Sequence, residues 1–248
     1  MGKEAFRIID LTKKYGRHVV LENINTRAEE GDVLCVIGPS GSGKTTLLRC
    51  LARLEAIETG EIWIDSTLAV DGHKRLTHKA VTPGHISMVF QDLALWPHLS
   101  ALENIAFPLR QILGISDEAS KERAQTLIEK MGLKGKEEAY PGTLSVGQQQ
   151  RVAIARALAP DPKLLLLDEI TSALDPELVG GVLSTLEGLA GEGRTLVIVT
   201  HHLEFARKVA SRVLFLDSGR IIEEAPPAQF FDYPRNERVK HFINAMVK

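Results

Sequence analysis

The order of apolar and polar residues predicts an alternation of strands and helices. Between Phe6 and Ala28 the pattern has a period of two and is interrupted at Tyr15-Gly16-Arg17, which predicts two antiparallel strands. Unbroken apolar runs predict strands that are covered on both faces. These runs are residues 32–37, 164–167 and 195–200, and shorter candidate strands lie at 61–65 and 86–90.

Helical patterns dominate the middle of the chain, from Gln91 to Pro160. The predicted fold class is therefore α/β, with a mostly parallel sheet, an N-terminal antiparallel β subdomain and a mostly helical insertion. We expect a single domain over 1–248, in which 1–91 and 161–248 form the core and 92–160 form the helical subdomain. Helices are expected at residues 44–54, 117–131, 147–159, 176–189 and 236–246, and a hairpin at 213–224.

Composition narrows the class of protein. The chain has 248 residues, of which 44% are hydrophobic and 25% charged, so disordered, collagen-like and disulfide-scaffold classes are excluded. A formal net charge of -2 argues against a nucleic-acid partner. Apolar runs have strand length, well below the roughly 18 residues that span a bilayer. The two cysteines are expected to be core thiols of a soluble, cytoplasmic protein.

The segment Gly38-Pro39-Ser40-Gly41-Ser42-Gly43-Lys44-Thr45 matches the pattern Gly-x-x-x-x-Gly-Lys-Ser/Thr. Phosphate needs many donors that converge from a concave backbone, and side chains at the glycine positions would block its approach. The following helix directs the positive end of its dipole at the anion. Lys44 is expected to reach the β- and γ-phosphates, and the Thr45 hydroxyl to bind Mg²⁺. The sequence therefore predicts a P-loop NTPase core.

Two carboxylates, Asp168 and Glu169, follow the apolar strand at 164–167. In P-loop NTPases an Asp at such a strand end helps to hold Mg²⁺. Adjacent strand residues point to opposite sides, which leaves Glu169 to polarise the attacking water. His201 follows another apolar strand, at the edge where open α/β sheets bind ligands. The alternative is a solvated acidic strand end and a structural histidine.

The run Leu144-Ser145-Val146-Gly147-Gln148-Gln149-Gln150-Arg151 resembles the Leu-Ser-Gly-Gly-Gln signature of the ATP-binding cassette (ABC) family. The resemblance covers essentially the full length, because further landmarks follow in the family's order, and it implies the ABC ATPase fold. By this resemblance Tyr15 stacks on adenine, Gln91 senses metal and γ-phosphate, the loop Ser172–Asp175 crosses a dimer interface with Asp175 at the nucleotide, and His201 contacts the γ-phosphate. Thr46 joins the nucleotide-binding residues; the implied catalytic set is Glu169, His201, Lys44 and Gln91, and the implied metal ligands are Thr45, Gln91 and Asp168.

The signature itself has the features of a second anion-binding surface. A hydroxyl at Ser145, a glycine at Gly147 and the adjoining Gln148 lie at a predicted helix N-terminus. Two such surfaces could close on one nucleotide within the chain or be shared with a second copy. The resemblance implies sharing: two copies pair head to tail around ATP, and hydrolysis reopens the pair. The chain departs from the family pattern at Val146, usually Gly, and at Ile170, usually Pro.

Several stretches resemble ATP-binding subunits of polar amino-acid uptake systems: residues 48–55, 205–210, 219–224, 230–231 and 236–243. Trp96, usually Phe, and His202, usually Glu, differ from that subfamily. The resemblance implies a membrane permease that docks near Gln91 to Leu109, an extracytoplasmic solute-binding protein, and a position on the cytoplasmic face of the cell membrane. Leu93, Leu95 and Trp96 are either the apolar docking residues or packing residues of the helical insertion.

Three functions are compatible with these motifs. The first is the ATP-hydrolysing, energy-coupling subunit of an importer. The second is an ABC ATPase of another kind, either for a different solute, for export or for a soluble process. The third is a P-loop kinase, which would leave the signature, Gln91 and His201 without a role.

Overall fold

The computed structural model describes residues 2–72, 81–172 and 176–246, and it confirms the α/β class. The chain divides into two compact units: the first is Met1–Thr82 with Glu192–Lys248, and the second is Pro83–Gly191. The second unit includes two strands and a helix besides the segment 92–160. The predicted subdomain boundaries at 92 and 160 stay a prediction.

The strands in chain order are β1 (Glu4–Tyr15), β2 (His18–Glu29), β3 (Val33–Ile37), β4 (Thr59–Ile64), β5 (Thr67–Asp71), β6 (Ile86–Val89), β7 (Leu164–Asp168), β8 (Thr195–Val199), β9 (Arg212–Asp217) and β10 (Arg220–Ala225). The helices are α1 (Lys44–Leu51), α2 (Ala101–Leu113), α3 (Asp117–Lys130), α4 (Val146–Leu158), α5 (Pro176–Gly191), α6 (Leu203–Val209), α7 (Pro227–Asp232) and α8 (Glu237–Met246).

The first unit contains an antiparallel sheet in the order β2-β1-β4-β5. Its alternating burial follows from the period-two pattern, which places one face on the core and the other in solvent. The two predicted N-terminal strands are confirmed. Strand β5 was not predicted, because its five residues are short and only partly apolar.

Strands β10, β9, β3 and β8 lie side by side in the first unit. Both neighbours of β3 run parallel to it, whereas β9 and β10 form the predicted antiparallel hairpin. All residues of β3 and β8 are buried, as their unbroken apolar runs indicated. Helix α1 ends at Leu51, three residues before its predicted end, and Arg53 beyond it has a left-handed φ of +63°.

The second unit packs α2, α3 and α4 together, and its strands β6 and β7 are parallel neighbours. Ser100 caps α2 by accepting a hydrogen bond from the Glu103 N–H at 3.3 Å. Asn104 is fully buried and fixes the segment before the helix. Its side-chain oxygen accepts from the Trp96 N–H, and its amide nitrogen donates to the carbonyl oxygens of Trp96, Leu99 and Ser100, at 2.9–3.1 Å. Within the described ranges, no helix combines the length and apolar character needed to cross a membrane.

The two cysteines are buried thiols, as the sequence predicts. Cys35 lies in the middle of β3 and Cys50 in the last turn of α1. Burial raises the pKa of Cys35 to about 12, and it raises the pKa of Cys50 to about 12 as well. Thiolates, which are the reactive form, are therefore strongly disfavoured in the folded protein.

We expect the folded protein to react with a thiol-specific disulfide reagent at about pH 8 at least a hundredfold more slowly than the unfolded protein. The measurement is the labelling rate with and without guanidinium, and in denaturant both thiols are expected to react together. Rapid labelling of either cysteine in buffer alone would contradict the burial of these groups.

Candidate functional site

The loop between β3 and α1 has a backbone that only glycine can adopt at two positions. Gly38 has a φ of +151°, and a Cβ added there would lie 2.0 Å from the carbonyl oxygen of Leu216 in β9. Gly43 has a φ of +105°, and its Cβ would lie 2.8 Å from a methyl carbon of Leu21 in β2. The glycines of the predicted P-loop therefore let the loop backbone pack directly against β2 and β9.

The polar groups of this loop are directed into it. Lys44 is 5% exposed, and its Nζ donates to the carbonyl oxygens of Gly38 at 3.1 Å and Pro39 at 3.0 Å. The Ser42 Oγ is buried and, within the described part of the chain, has no hydrogen-bond partner. An ammonium group and a spare hydroxyl held inside a glycine-built loop fit an anionic phosphate group.

The remaining residues of the motif differ in their exposure. Ser40 and Gly41 are exposed at its tip, whereas Thr45 and Thr46 are half-buried in the first turn of α1. The turn between β9 and β10 supports the loop from below, because the Gly219 N–H donates to the Ser42 carbonyl oxygen at 3.1 Å. The N-terminus of α1, with its positive dipole end, directly follows this loop.

Tyr15 lies in the same unit, at the end of β1, and is 46% exposed. The pairing of β1 with β2 places Lys13 opposite Leu21, the residue that contacts Gly43. Tyr15, two residues further along β1, lies opposite His18 and presents an aromatic ring to solvent.

His201 follows β8 in the first unit and is half-buried. The next residue, His202, donates its N–H to the Thr200 hydroxyl oxygen at 3.0 Å. Burial lowers the pKa of His202, and the adjacent His201 lowers it further. His202 therefore stays neutral at physiological pH, so this departure from the subfamily pattern replaces a carboxylate with an uncharged group.

The acidic strand end lies in the second unit. Asp168 closes β7 and is 2% exposed, whereas Glu169 is half-buried and has a left-handed φ of +44°. The Ser172 N–H donates to the Glu169 carbonyl oxygen at 3.0 Å and closes a turn. A left-handed backbone is unfavourable for glutamate, so the surrounding structure must stabilise it at this position. Such strained residues often occur at functional sites, where the direction of the side chain matters.

The turn after Glu169 is held by two glutamines of the second unit. Gln91, after β6, donates from Nε2 to the Ser172 hydroxyl at 3.1 Å. Gln150 of α4 is 1% exposed and donates to the carbonyl oxygen of Ile170, itself 3% exposed. Ile170 is therefore a core residue that anchors the turn. Asp175, a predicted nucleotide contact, lies outside the described residues.

The predicted signature forms the N-terminus of α4. The Ser145 hydroxyl accepts from the Gln148 N–H at 3.3 Å, and the Ser145 N–H donates to the Gln148 side chain at 3.0 Å, which makes a complete capping box. The hydroxyl hydrogen of Ser145 stays available as a donor. A Cβ added at Gly147 would meet no atom of the described residues within 4 Å, apart from its chain neighbours and its own helix backbone, and Val146 is 42% exposed.

The predicted docking segment is only partly exposed. Leu93 is 7% exposed, so its assignment as an exposed docking residue is wrong; it packs inside the unit. Leu95 and Trp96 are half-exposed. The guanidinium of Arg156 lies 4.9 Å from the Trp96 ring centroid and donates to the Leu93 and Ala94 carbonyl oxygens at 2.6 and 2.7 Å.

Sequence reasoning missed Gln150 and Arg156, although both lie in α4 directly after the signature. Their side chains bond backbone carbonyls that are 20 and more than 60 residues away in sequence. Helix α4 also contains Gln148, Gln149 and Arg151, so polar character by itself does not single out Gln150 and Arg156.

Comparisons with known proteins agree with this geometry. A family model described as ABC transporter matches residues 21–172, more than half of the chain. A glutamine transport ATP-binding protein of Geobacillus stearothermophilus is 48% identical, with coverage of 96% of this chain and 97% of that protein. A histidine/lysine/arginine/ornithine transport ATP-binding protein of Escherichia coli is 44% identical over the full length of both.

A solved structure also matches. It is a dimeric ATP-binding cassette in a post-hydrolysis state with bound ADP and Pi, with a TM-score of 0.77 and 33% identity. The match covers 90% of this chain and 98% of that one.

The loop geometry predicts different effects of substitution at two glycines of the motif. Gly38→Ala is expected to lower the free energy of unfolding by about 3 kcal/mol and to abolish nucleotide binding, because its Cβ overlaps a backbone carbonyl. Gly41→Ala, where the Cβ meets open space at a φ of +76°, is expected to cost about 1 kcal/mol. Denaturant titration and nucleotide binding check both variants, and equal losses for the two would contradict the contact with Leu216.

Proposed function

Because this chain belongs to the ABC transporter family, we propose that it is the ATP-hydrolysing subunit of an importer for polar amino acids. The observation that carries the proposal is the loop at 38–44, where Lys44 and the Ser42 hydroxyl lie inside a backbone loop that packs on β9 only because Gly38 has no side chain. That arrangement supports binding of a nucleoside triphosphate.

Glu169, Gln91 and His201 have proposed roles in hydrolysis. Glu169 accepts the proton of the water that attacks the γ-phosphorus, while the bond from that phosphorus to the bridging oxygen breaks and ADP leaves. Gln91 and His201 orient the γ-phosphate and the attacking water. Thr45, Asp168 and Gln91 are the residues that would hold Mg²⁺, which would neutralise charge on the phosphate oxygens.

The capped N-terminus of α4 supports a dimer with a second copy of the chain. The Ser145 oxygen accepts from its own helix, and its hydroxyl hydrogen would be the donor to an anion. Each ATP would lie between the phosphate loop of one copy and Ser145, Gly147 and Gln148 of the other. Binding of ATP then closes the pair and hydrolysis reopens it, which shifts a population between two states.

The coupling to a membrane is proposed from the segment 91–109 and from the relatives. Trp96 and Leu95 form a half-exposed apolar surface that suits a short helix of a permease. The proposed assembly places this chain on the cytoplasmic face of the cell membrane and includes an extracytoplasmic solute-binding protein. The printed names of the relatives, which are glutamine, cystine, arginine and histidine transport proteins, favour a polar amino acid as the solute.

The role of Glu169 predicts a specific kinetic result. Glu169→Gln keeps the side-chain shape and loses the base, so hydrolysis is expected to fall by roughly 10²–10⁴-fold while ATP binding and the ATP-bound dimer remain. Lys44→Ala is the contrasting variant, and its ATP affinity is expected to fall at least about tenfold. Phosphate release and size-exclusion chromatography with ATP provide the measurements. Near-normal turnover by Glu169→Gln would refute the assignment.

Capture from membranes tests the transporter itself. Tagged Glu169→Gln protein, held with ATP and incubated with detergent-solubilised membranes of its own source, is expected to retain a polytopic membrane protein. Adding Trp96→Ala is expected to reduce that capture at least about tenfold, whereas adding Tyr140→Ala, an exposed aromatic elsewhere in the same unit, leaves it unchanged. Recovery of the cassette alone, or of nucleic-acid machinery, would contradict the proposal.

A further inference from the structure

A buried lysine lies directly beside the exposed ring of Tyr15. The side chain of Lys13 is only 7% exposed, and its Nζ is 4.7 Å from the centroid of the Tyr15 ring. Buried ammonium groups are rare, because removing the charge from water is costly unless partners compensate. The placement of this charge under an aromatic ring therefore requires an explanation beyond solvation of a surface residue.

The partners of Lys13 come from the segment that follows α1. The Nζ donates to the carbonyl oxygen of Ala56 at 2.7 Å and forms an ion pair with Glu55 at 3.2 Å. Desolvation raises the pKa of Tyr15, and the neighbouring Glu55 carboxylate raises it further. Glu55 pairs with the Lys13 ammonium, and the same ammonium lies against the Tyr15 ring, so the three side chains form one cluster around Lys13.

The backbone of β1 is irregular where it delivers these side chains. The pairing with β2 shifts register on both sides of Lys13, between Leu11 and Lys13 and between Lys13 and Lys14. Bulges of this kind redirect a side chain that regular pleating would place elsewhere. The irregularity supports a specific orientation of Lys13 and Tyr15.

The cluster also relates the ring to the phosphate loop. Helix α1 begins at Lys44, in the loop, and its C-terminal extension carries Glu55 and Ala56. Leu21, opposite Lys13, packs against Gly43 at the other end of the same helix. The residues that flank α1 on both sides therefore contact the β1–β2 pair, which links the position of the ring to that of the phosphate-binding backbone.

We propose that Lys13 is a positioning residue for Tyr15, which it holds by one ring face so that the other face receives the purine base of the nucleotide. The proposal rests on the nucleotide-binding function proposed above. The ring face toward Lys13 is covered by a cation–π contact, and the exposed part of the ring is what remains for stacking. A ring fixed in advance loses less conformational freedom when the base binds.

The test separates base recognition from phosphate recognition. Dissociation constants are measured for ATP and for inorganic tripolyphosphate with the wild type, Lys13→Met, Lys13→Arg and Tyr15→Ala. Lys13→Met is expected to weaken ATP binding about five- to tenfold and to leave tripolyphosphate binding within about twofold. Lys13→Arg, which keeps the charge and can stack on the ring, is expected to restore most of the ATP affinity.

Several results would overturn the proposal. Equal losses for ATP and tripolyphosphate in Lys13→Met would mean general damage to the loop, and unchanged ATP binding would mean that Lys13 does not act through the ring. If Tyr15→Ala also binds ATP as the wild type does, the stacking role of Tyr15 fails, and the proposal for Lys13 fails with it. If the phosphate loop itself is misassigned, the wild type will bind neither probe.

A second variant covers the case in which Lys13→Met does not fold. Glu55→Gln keeps the volume of the cluster and removes the charge that pairs with Lys13. It is expected to weaken ATP binding about threefold with tripolyphosphate binding unchanged, since the ring is then less firmly held. An unchanged preference for ATP in Glu55→Gln would contradict the cluster as the positioning device.

Discussion

The phosphate-binding loop of the first unit depends on the close approach of the Gly38 backbone to the backbone of β9. The carbonyl oxygen of Leu216 occupies the space that any side chain at Gly38 would need. The loop backbone can therefore pack directly on β9, and the Lys44 ammonium is held against the carbonyl oxygens of Gly38 and Pro39 inside the loop. Strand β2 and the β9–β10 turn complete the support, through Leu21 and Gly219. The shape of the phosphate-binding loop therefore depends on its packing against β2, β9 and the β9–β10 turn.

In the second unit, side-chain hydrogen bonds fix the backbone of the functional turns, whereas in the first unit glycines allow close backbone packing. Helix α4 sends Gln150 to the Ile170 carbonyl and Arg156 to the carbonyls of the turn after Gln91. Both recipients lie in turns with left-handed residues, including Glu169 and Leu93. Since the donors lie on the helix that begins at the signature, a movement of that helix would act on the acidic turn and on the Trp96 surface together. This gives the proposed coupling between hydrolysis and docking a physical route, through contiguous packed groups.

Local sequence patterns predicted the parts of this structure that depend on local physics. The alternation in β1 and β2, the buried runs of β3 and β8, and the loop ending in Lys44 follow from period, length and glycine placement. The burial of Leu93, the left-handed Glu169 and the partners of Arg156 depend on contacts between distant residues, which no local pattern encodes. Short elements such as β5 were missed for the same reason, because pairing with β4 stabilises them.

The two departures from the family pattern lead to different conclusions. Ile170 is buried and holds its turn through a backbone carbonyl, so the side chain contributes packing and the hydrogen bond needs no particular residue type. Val146 is the first residue of α4 and is exposed, while the capping box is complete without it. A β-branched residue at a helix start restricts the backbone little, because helical φ and ψ are already required there. Any effect of Val146 must therefore act outward, as an apolar side chain beside the Ser145 hydroxyl on the surface that the proposed dimer would bury.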